Sequence, residues 1–305
     1  VAHTDPESVD ADHIASRDIA SRDIASRDIA SRDIASDDIT SDDIAIFGHL
    51  NLIEVSREFT RWGIGGALVE SDGVVLYATG SWLPVMCNGA FRSDDTTAAS
   101  EVVTRADAFF GARRRGYTIM VRDLPVDDDL RRGCEAGGLE AFGDPAPEMF
   151  CTTPVAEHQP DGVEIRRITT EAGVIDFAAV CSAAYSTYGM PVEAPVQLFG
   201  IPRRVIEARH VIAVVAYAGT EPVAAAMTLL SHGIAGLYWV GTVQGARKSG
   251  LGRAVTAVVT NASFAHGAAA VTLQASVMGE PIYRAMGYDT LYHYQNWVRF
   301  MSPGT

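Results

Sequence analysis

Apolar positions between residues 47 and 300 fall into short segments with two different spacings. Residues 50–62 and 96–112 repeat them every three or four positions, which predicts amphipathic helices. Residues 66–70 and 74–78 are apolar runs around Ser71-Asp72-Gly73, the pattern of a hairpin that turns at Asp-Gly. A strand over 117–121, a helix over 126–136 that stops at Gly137-Gly138, and a strand over 149–153 complete a first series. The polar stretch Pro-Val-Ala-Glu-His-Gln-Pro-Asp-Gly at 154–162 reads as a linker. A second series follows: a strand over 163–168, helices over 170–185 and 195–208, a hairpin from 211–217 and 223–230, and a strand over 236–243. It continues with a helix over 253–266, a strand over 269–275, a short helix within 276–286 and a strand over 292–300. This mixture predicts an α/β (α+β) protein with two domains, 46–155 and 162–301.

Residues 15–44 break the pattern. Ala-Ser-Arg-Asp-Ile occurs four times and is followed by Ala-Ser-Asp-Asp-Ile and Thr-Ser-Asp-Asp-Ile. A period of five gives no apolar stripe on a helix and no common face on a strand. The repeat resembles the pentapeptide-repeat family, but stacked coils would bury Arg17, Arg22, Arg27 and Arg32 at heavy cost. Residues 1–45 are therefore expected to be a disordered low-complexity tail whose deletion leaves activity intact.

Composition narrows the possible functions. Hydrophobic residues make up 48% of the 305, ample for real cores. The net charge of −14 argues against a nucleic-acid partner. Residues 1–45, with 12 acidic and 4 basic side chains, hold −8 of that charge, so the remainder is only mildly acidic. Cys87, Cys134, Cys151 and Cys181 form no Cys-x-x-Cys pair and read as thiols of a reducing compartment. No run approaches the ~18 to 20 apolar residues that span a membrane. The N-terminal stretch lacks the apolar core of a signal peptide. The expected location is the cytoplasm, with no membrane partner. His13, His49 and His158 lack ligand spacing, and no metal is expected.

The stretch Arg247-Lys248-Ser249-Gly250-Leu251-Gly252 lies between the 236–243 strand and the 253–266 helix. Glycines let a backbone approach a ligand closely, and free amides with the helix dipole favour an anion there. It is neither a P-loop nor the dinucleotide fingerprint. Downstream, the strand ending at Ala275 leads through Ser276 into a short helix with Tyr283, closed by Gly287-Tyr288. Together these motifs resemble the GNAT superfamily of N-acetyltransferases. Its Gln/Arg-x-x-Gly-x-Gly/Ala pattern is met by Arg247, Gly250 and Gly252, and its later strand, tyrosine helix and Gly-Phe/Tyr by 271–275, Tyr283 and Gly287-Tyr288.

The resemblance implies two GNAT-like mixed-sheet domains in tandem, the first degenerate. In the first half, Arg92-Ser93-Asp94-Asp95-Thr96-Thr97 stands where the phosphate loop belongs, without glycines and with two aspartates. It also implies an enzyme that moves an acetyl group from acetyl-coenzyme A directly to an amine of a small molecule or peptide. Backbone groups of Thr242 and Val243 would meet the pantetheine and thioester. Arg247, Lys248, Ser249, Gly250, Leu251, Gly252 and Arg253 would cradle the pyrophosphate, and Tyr283 would protonate the leaving thiolate. Ser276 and Gly279 depart from the family's usual Asn and Ala, which puts a secondary coenzyme contact at Ser276 in doubt. The base is not visible; Tyr238, His232 and Glu207 are candidates by position. The acceptor would lie against 185–199 and 292–297. Two readings stay open beside this one: a non-catalytic acyl-coenzyme A sensor, and a tandem acetyltransferase resembling mycothiol synthase. The oligomeric state is not read from the sequence.

Overall fold

The computed structural model describes residues 39–301. Helix α1 (Ser41–Trp62) opens with a capping box: the Thr40 hydroxyl accepts from the Asp43 amide, and the Asp43 carboxylate accepts from the Thr40 amide. The helix thus begins within the last repeat unit, ahead of the 50–62 span that periodicity predicts. Ile44 of that unit is buried against Ile234 and Ala270. A tail boundary at residue 45 therefore falls inside α1. Residues 1–38 of the repeat lie outside the described residues.

A protein lacking residues 1–45 loses both the cap, worth about 1 kcal/mol, and a buried isoleucine, worth about 2–5 kcal/mol. Its Tm should fall at least about 6 °C below that of a protein lacking only 1–38. Equal melting temperatures would rule out a structural role for residues 39–45.

The first half continues with β1 (Ala67–Ser71), β2 (Val74–Ala78), β3 (Asn88–Arg92), α2 (Ala99–Gly111), β4 (Tyr117–Arg122), α3 (Asp128–Ala136) and β5 (Glu140–Cys151). The second half supplies β6 (Val163–Arg167), α4 (Glu171–Tyr185), α5 (Glu193–Leu198), α6 (Pro202–Glu207), β7 (Val211–Ala218), β8 (Glu221–Ser231) and β9 (Ile234–Thr242). It ends with α7 (Leu251–Ala265), β10 (Val271–Gln274), α8 (Glu280–Ala285) and β11 (Asp289–Arg299).

The eleven strands of the described residues join one mixed sheet in the order β1-β2-β3-β4-β11-β5-β10-β9-β8-β7-β6. The halves exchange their last strands. β11 lies between β4 and β5 of the first half, and β5 lies between β10 and β11 of the second. The linker at 154–162 divides the chain but not the sheet.

Both faces are covered. α1 and α4 bury Phe59, Trp62 and Phe177 with Phe199, Met227 and Trp239 on one face. α7 buries Val255 and Val259 against Leu237, Leu273 and Met286 on the other. In the first half, α2 and α3 pack Val102, Phe110 and Leu130 on Tyr117, Ile119 and Trp297. α1 crosses the middle of the sheet at Gly48, where a Cβ would stand 3.1 Å from the Glu148 carboxylate and 3.6 Å from Thr272.

Candidate active site

β9 and β10 are parallel neighbours only at Ala235–Val271 and Gly236–Thr272. Beyond these pairs β9 runs on to Thr242 while β10 ends at Gln274, so the strands part and leave an opening. A bulge sharpens the divergence. Between Tyr238 and Gly241, β9 carries an extra residue against β8, and Trp239 takes up the strain with φ +54°. Tyr185 of α4 donates its hydroxyl to the Val240 carbonyl (3.2 Å), fixing the bulge from the α1 side.

At the end of β9, the Val243 amide donates to the Val223 carbonyl of β8 (3.0 Å). That amide is thereby engaged by the sheet. The same pairing turns the backbone of Thr242, opposite Ala224, away from β8 and toward the opening.

The loop after β9 has two left-handed residues, Lys248 (φ +66°) and Gly250 (φ +80°). Gly250 is the N-cap of α7, and among the described residues no side chain caps the first-turn amides. These amides point outward at an exposed, positively polarised helix end. Leu251 is buried and anchors the turn, while Ser249 donates to the Ala246 carbonyl. The Arg247 guanidinium faces inward. It donates to the Ala184 carbonyl (3.1 Å), Thr187 Oγ1 (2.7 Å) and the Thr242 carbonyl (3.3 Å) and lies over Tyr188. Arg247 thus ties α4 to the loop, and its charge does not extend over the exposed amides. His158 of the linker does reach the loop, 3.7 Å from where a Cβ at Gly250 would stand.

The two glycines differ. Gly250 needs its left-handed φ whatever binds there. A Cβ at Gly252 would meet only Thr242 Oγ1 at an ordinary 3.5 Å. The fold itself therefore does not demand glycine at 252.

Tyr283 of α8 is half-buried between the opening and the α7 face, edge-on to Tyr288 (5.9 Å). Burial pushes its phenol well above the ordinary range, so it is protonated at neutral pH. Its hydroxyl has no hydrogen-bond partner among the described residues. Gly279 is explained by this ring: a Cβ there would lie 2.8 Å from Tyr283 Cε2. Exposed Ser276 accepts from the Gly279 amide (3.2 Å), which starts the turn and leaves its hydroxyl hydrogen free.

The other expected residues scatter. His232 sits in the β8–β9 turn, bonded to Ser231 (3.0 Å), and Glu207 is exposed and paired with Arg203 (2.8 Å). Neither faces the opening. Tyr238 does lie beside it, but buried, with its hydroxyl donated to Asn51 Oδ1 (2.8 Å). In 185–199, Leu198 and Phe199 are core residues, whereas Tyr188, Val192 and Val196 are exposed. Residues 292–297 form strand, as the sequence predicts. They run along β11, and Trp297 belongs to the core of the first half.

Sequence reasoning missed Glu148, a fully buried carboxyl on β5 beside Gln274. Its only sequence signal is an acid inside Pro-Glu-Met-Phe, a pattern that otherwise reads as the start of a buried strand.

The equivalent place in the first half is closed by ion pairs. Buried Asp127 accepts from Arg92 Nη2 (2.7 Å) and from Arg122 Nε (2.7 Å), Nη2 (3.0 Å) and amide (3.1 Å). Arg92 also pairs with Asp129 (2.9 Å) and Arg122 with Asp95 (3.1 Å). Asp94 accepts from the Thr96 amide and hydroxyl, closing a turn before α2 without capping the helix.

Among the described residues, no His/Cys/Asp/Glu group could hold a metal ion, and no helix is long and apolar enough to cross a membrane. All four cysteines are buried free thiols.

No protein-family model matches the chain, and no curated protein does. Solved structures do. A GCN5-related N-acetyltransferase from Kribbella flavida superposes with a TM-score of 0.61 at 18% identity, covering 83% of this chain and 96% of that one. One from Sphaerobacter thermophilus gives 0.55 at 14%, covering 78% and 84%. A tandem GNAT protein from the clavulanic acid biosynthesis pathway gives 0.55 at 14%, covering 83% and 89%. The splayed mixed sheet is the GNAT N-acetyltransferase fold. Within that class the chain has the tandem arrangement.

Proposed function

We propose that the second half transfers an acetyl group from acetyl-coenzyme A to an amine of a small molecule or peptide, directly and without a covalent enzyme intermediate. The observation that carries this reading is the opening between β9 and β10, which leads to an uncapped α7 N-terminus where Gly252 is not needed for packing. Bound acetyl-coenzyme A supplies the activated acyl group. The amides from Lys248 to Arg253 hold its pyrophosphate, with Arg247 and Leu251 fixing the loop. The Thr242 backbone, turned to the opening, lines the pantetheine path and offers the amide for the developing oxyanion. Ser276 keeps a free hydroxyl hydrogen for a secondary contact at the rim. Tyr283 gives its proton to the sulfur as the amine nitrogen bonds to the carbonyl carbon and the C–S bond breaks. The filled Arg92–Asp127–Arg122 site leaves no place for coenzyme in the first half.

Saturating acetyl-coenzyme A, at about 100 times its Kd, should stabilise the protein by about 2.7 kcal/mol, a Tm rise of about 5–10 °C. Gly252→Val should leave the ligand-free Tm within about 2 °C and abolish most of that rise. Thiol release with a panel of amines then reads turnover. No rise with the wild type, or an equal rise in the variant, removes the loop from the proposal.

A further inference from the structure

The widening gap between β9 and β10 is bordered on the α1 side by a row of polar residues that crosses four strands. Continuing the Ala235–Val271 register would set Tyr238 beside Gln274 where the strands part. Gln274 pairs directly with Glu148 of β5, and Glu148 with Tyr292 of β11. Side chains two apart along a strand share a face, so Thr272 and Gln274 of β10 both lie with Glu148 on the α1 side, where Gly48 covers them. The acid in this row comes from the other half of the protein, on the strand that half inserts into this sheet.

Glu148 is 0% exposed, yet no cation among the described residues is paired with it. Oε2 accepts from Gln274 Nε2 (2.6 Å), and Oε1 makes no hydrogen bond. A buried carboxylate oxygen without a partner is costly. The titratable groups around it are neutral at pH 7. On α1, His49 accepts from the Tyr294 hydroxyl at Nδ1 (2.9 Å) and donates from Nε2 to the Arg92 carbonyl (2.9 Å), and burial holds it neutral with a pKa of about 4. Burial also keeps Tyr238 of β9 and Tyr292 and Tyr294 of β11 protonated. The charge of Arg122 of β4 acts on Tyr292 and Tyr294, and Arg122 is itself bound to Asp127. Burial pushes the Glu148 carboxyl up to about 7. Gln274, and Thr272 without a hydrogen bond of ordinary geometry, only partly oppose the rise.

We propose that Glu148 of the first half accepts the proton that the acceptor amine loses in the second half's reaction. The inference rests on the proposed acetyl transfer. The nitrogen gains the acyl carbon and gives up a proton, which passes through one water at the half-buried Gln274 edge of the row to the Glu148 carboxylate. Tyr283 protonates the departing sulfur, and solvent later restores both groups. The first half, with its own anion site closed by ion pairs, would then be kept as the donor of this carboxyl.

The test is a pH profile of kcat/KM in wild type, Glu148→Gln and Glu148→Asp, with acetyl-coenzyme A binding followed separately by thermal shift. The wild-type rate should rise about tenfold per pH unit up to about pH 7 and then level off, because the base works only when ionised. Glu148→Gln should lose that limb and at least about 100-fold in rate while its thermal shift with acetyl-coenzyme A stays as in wild type. Glu148→Asp should recover part of the rate and keep a limb. In the wild type, the isotope-edited infrared band of the protonated carboxyl should vanish with the same midpoint as the kinetic limb, a readout that stands even if the variants fail to fold. A wild-type profile in folded Glu148→Gln, or a carboxyl midpoint far from the kinetic one, overturns the proposal. Failure of the wild type to bind acetyl-coenzyme A overturns the underlying transferase reading as well, so the two failures are distinguishable.

Discussion

Tyr283→Phe is expected to lower kcat by about 10² to 10⁴ and to leave the acetyl-coenzyme A thermal shift unchanged. The phenol ring packs over Gly279 and against Tyr288, and phenylalanine keeps both contacts. The hydroxyl has no hydrogen-bond partner among the described residues, so its removal leaves no buried donor or acceptor stranded. The loss should therefore appear in turnover, with little change in Tm. Burial keeps the phenol protonated across the neutral range, as an acid must be before transfer. Steady-state rates beside thermal shifts decide the matter. Unchanged kcat would retire Tyr283 as the acid, and a parallel loss of coenzyme binding would assign the ring to positioning.

Asp127→Ala should have the largest effect on stability. Asp127 takes four hydrogen bonds from Arg92 and Arg122, and all three side chains are nearly sealed from solvent. Removing the carboxylate leaves the two buried guanidinium groups with only Asp129 and Asp95 as charged partners, a change that costs about 3–5 kcal/mol, or a Tm drop of about 6–20 °C. Burial alone would raise the Asp127 pKa. The hydrogen bonds and charge of Arg122, followed by Arg92, more than reverse this and hold it at about 2. The folded pKa is therefore below the ordinary value of about 3.9. The stabilisation is fully present above about pH 4 and is lost as pH falls toward 2. Urea unfolding at pH 7 and at stepwise lower pH should show wild type and variant converging over that window. A constant difference between them would mean that Asp127 is not the group being titrated.

What the sequence made legible was local. Arg247 to Gly252 and the turn from Ser276 to Tyr288 carry their geometry in neighbouring residues, since glycines permit left-handed backbone and a small helix needs its stop. β3 went unseen because Asn-Gly-Ala-Phe-Arg has no alternation, although all five residues are buried. Of β5 the sequence reveals only 149–153, because Gly143, Asp144, Pro145 and Pro147 look like a loop. In the structure that stretch passes register shifts against β11, where missing amides cost little. The start of α1 was hidden by the repeat, which reads as low complexity up to the isoleucine that is buried. The inward turn of Arg247 depends on carbonyls at Ala184 and Thr242 and on Thr187. The role of Glu148 depends on strand neighbours more than a hundred residues away. No local pattern encodes either.

The exchanged strands also set a timetable for synthesis. β4 has its central partner in β11, with Ile119 opposite Trp297, so the edge of the first half stays unpaired until the last strand has been made. At ~5–20 residues per second the wait is roughly 10 to 35 s. For that interval a buried strand of mostly apolar residues is an open edge on a nascent chain, vulnerable to pairing with a neighbour on the same message. The first half cannot mature ahead of the second, and a ribosome that stalls before β11 leaves both unfinished.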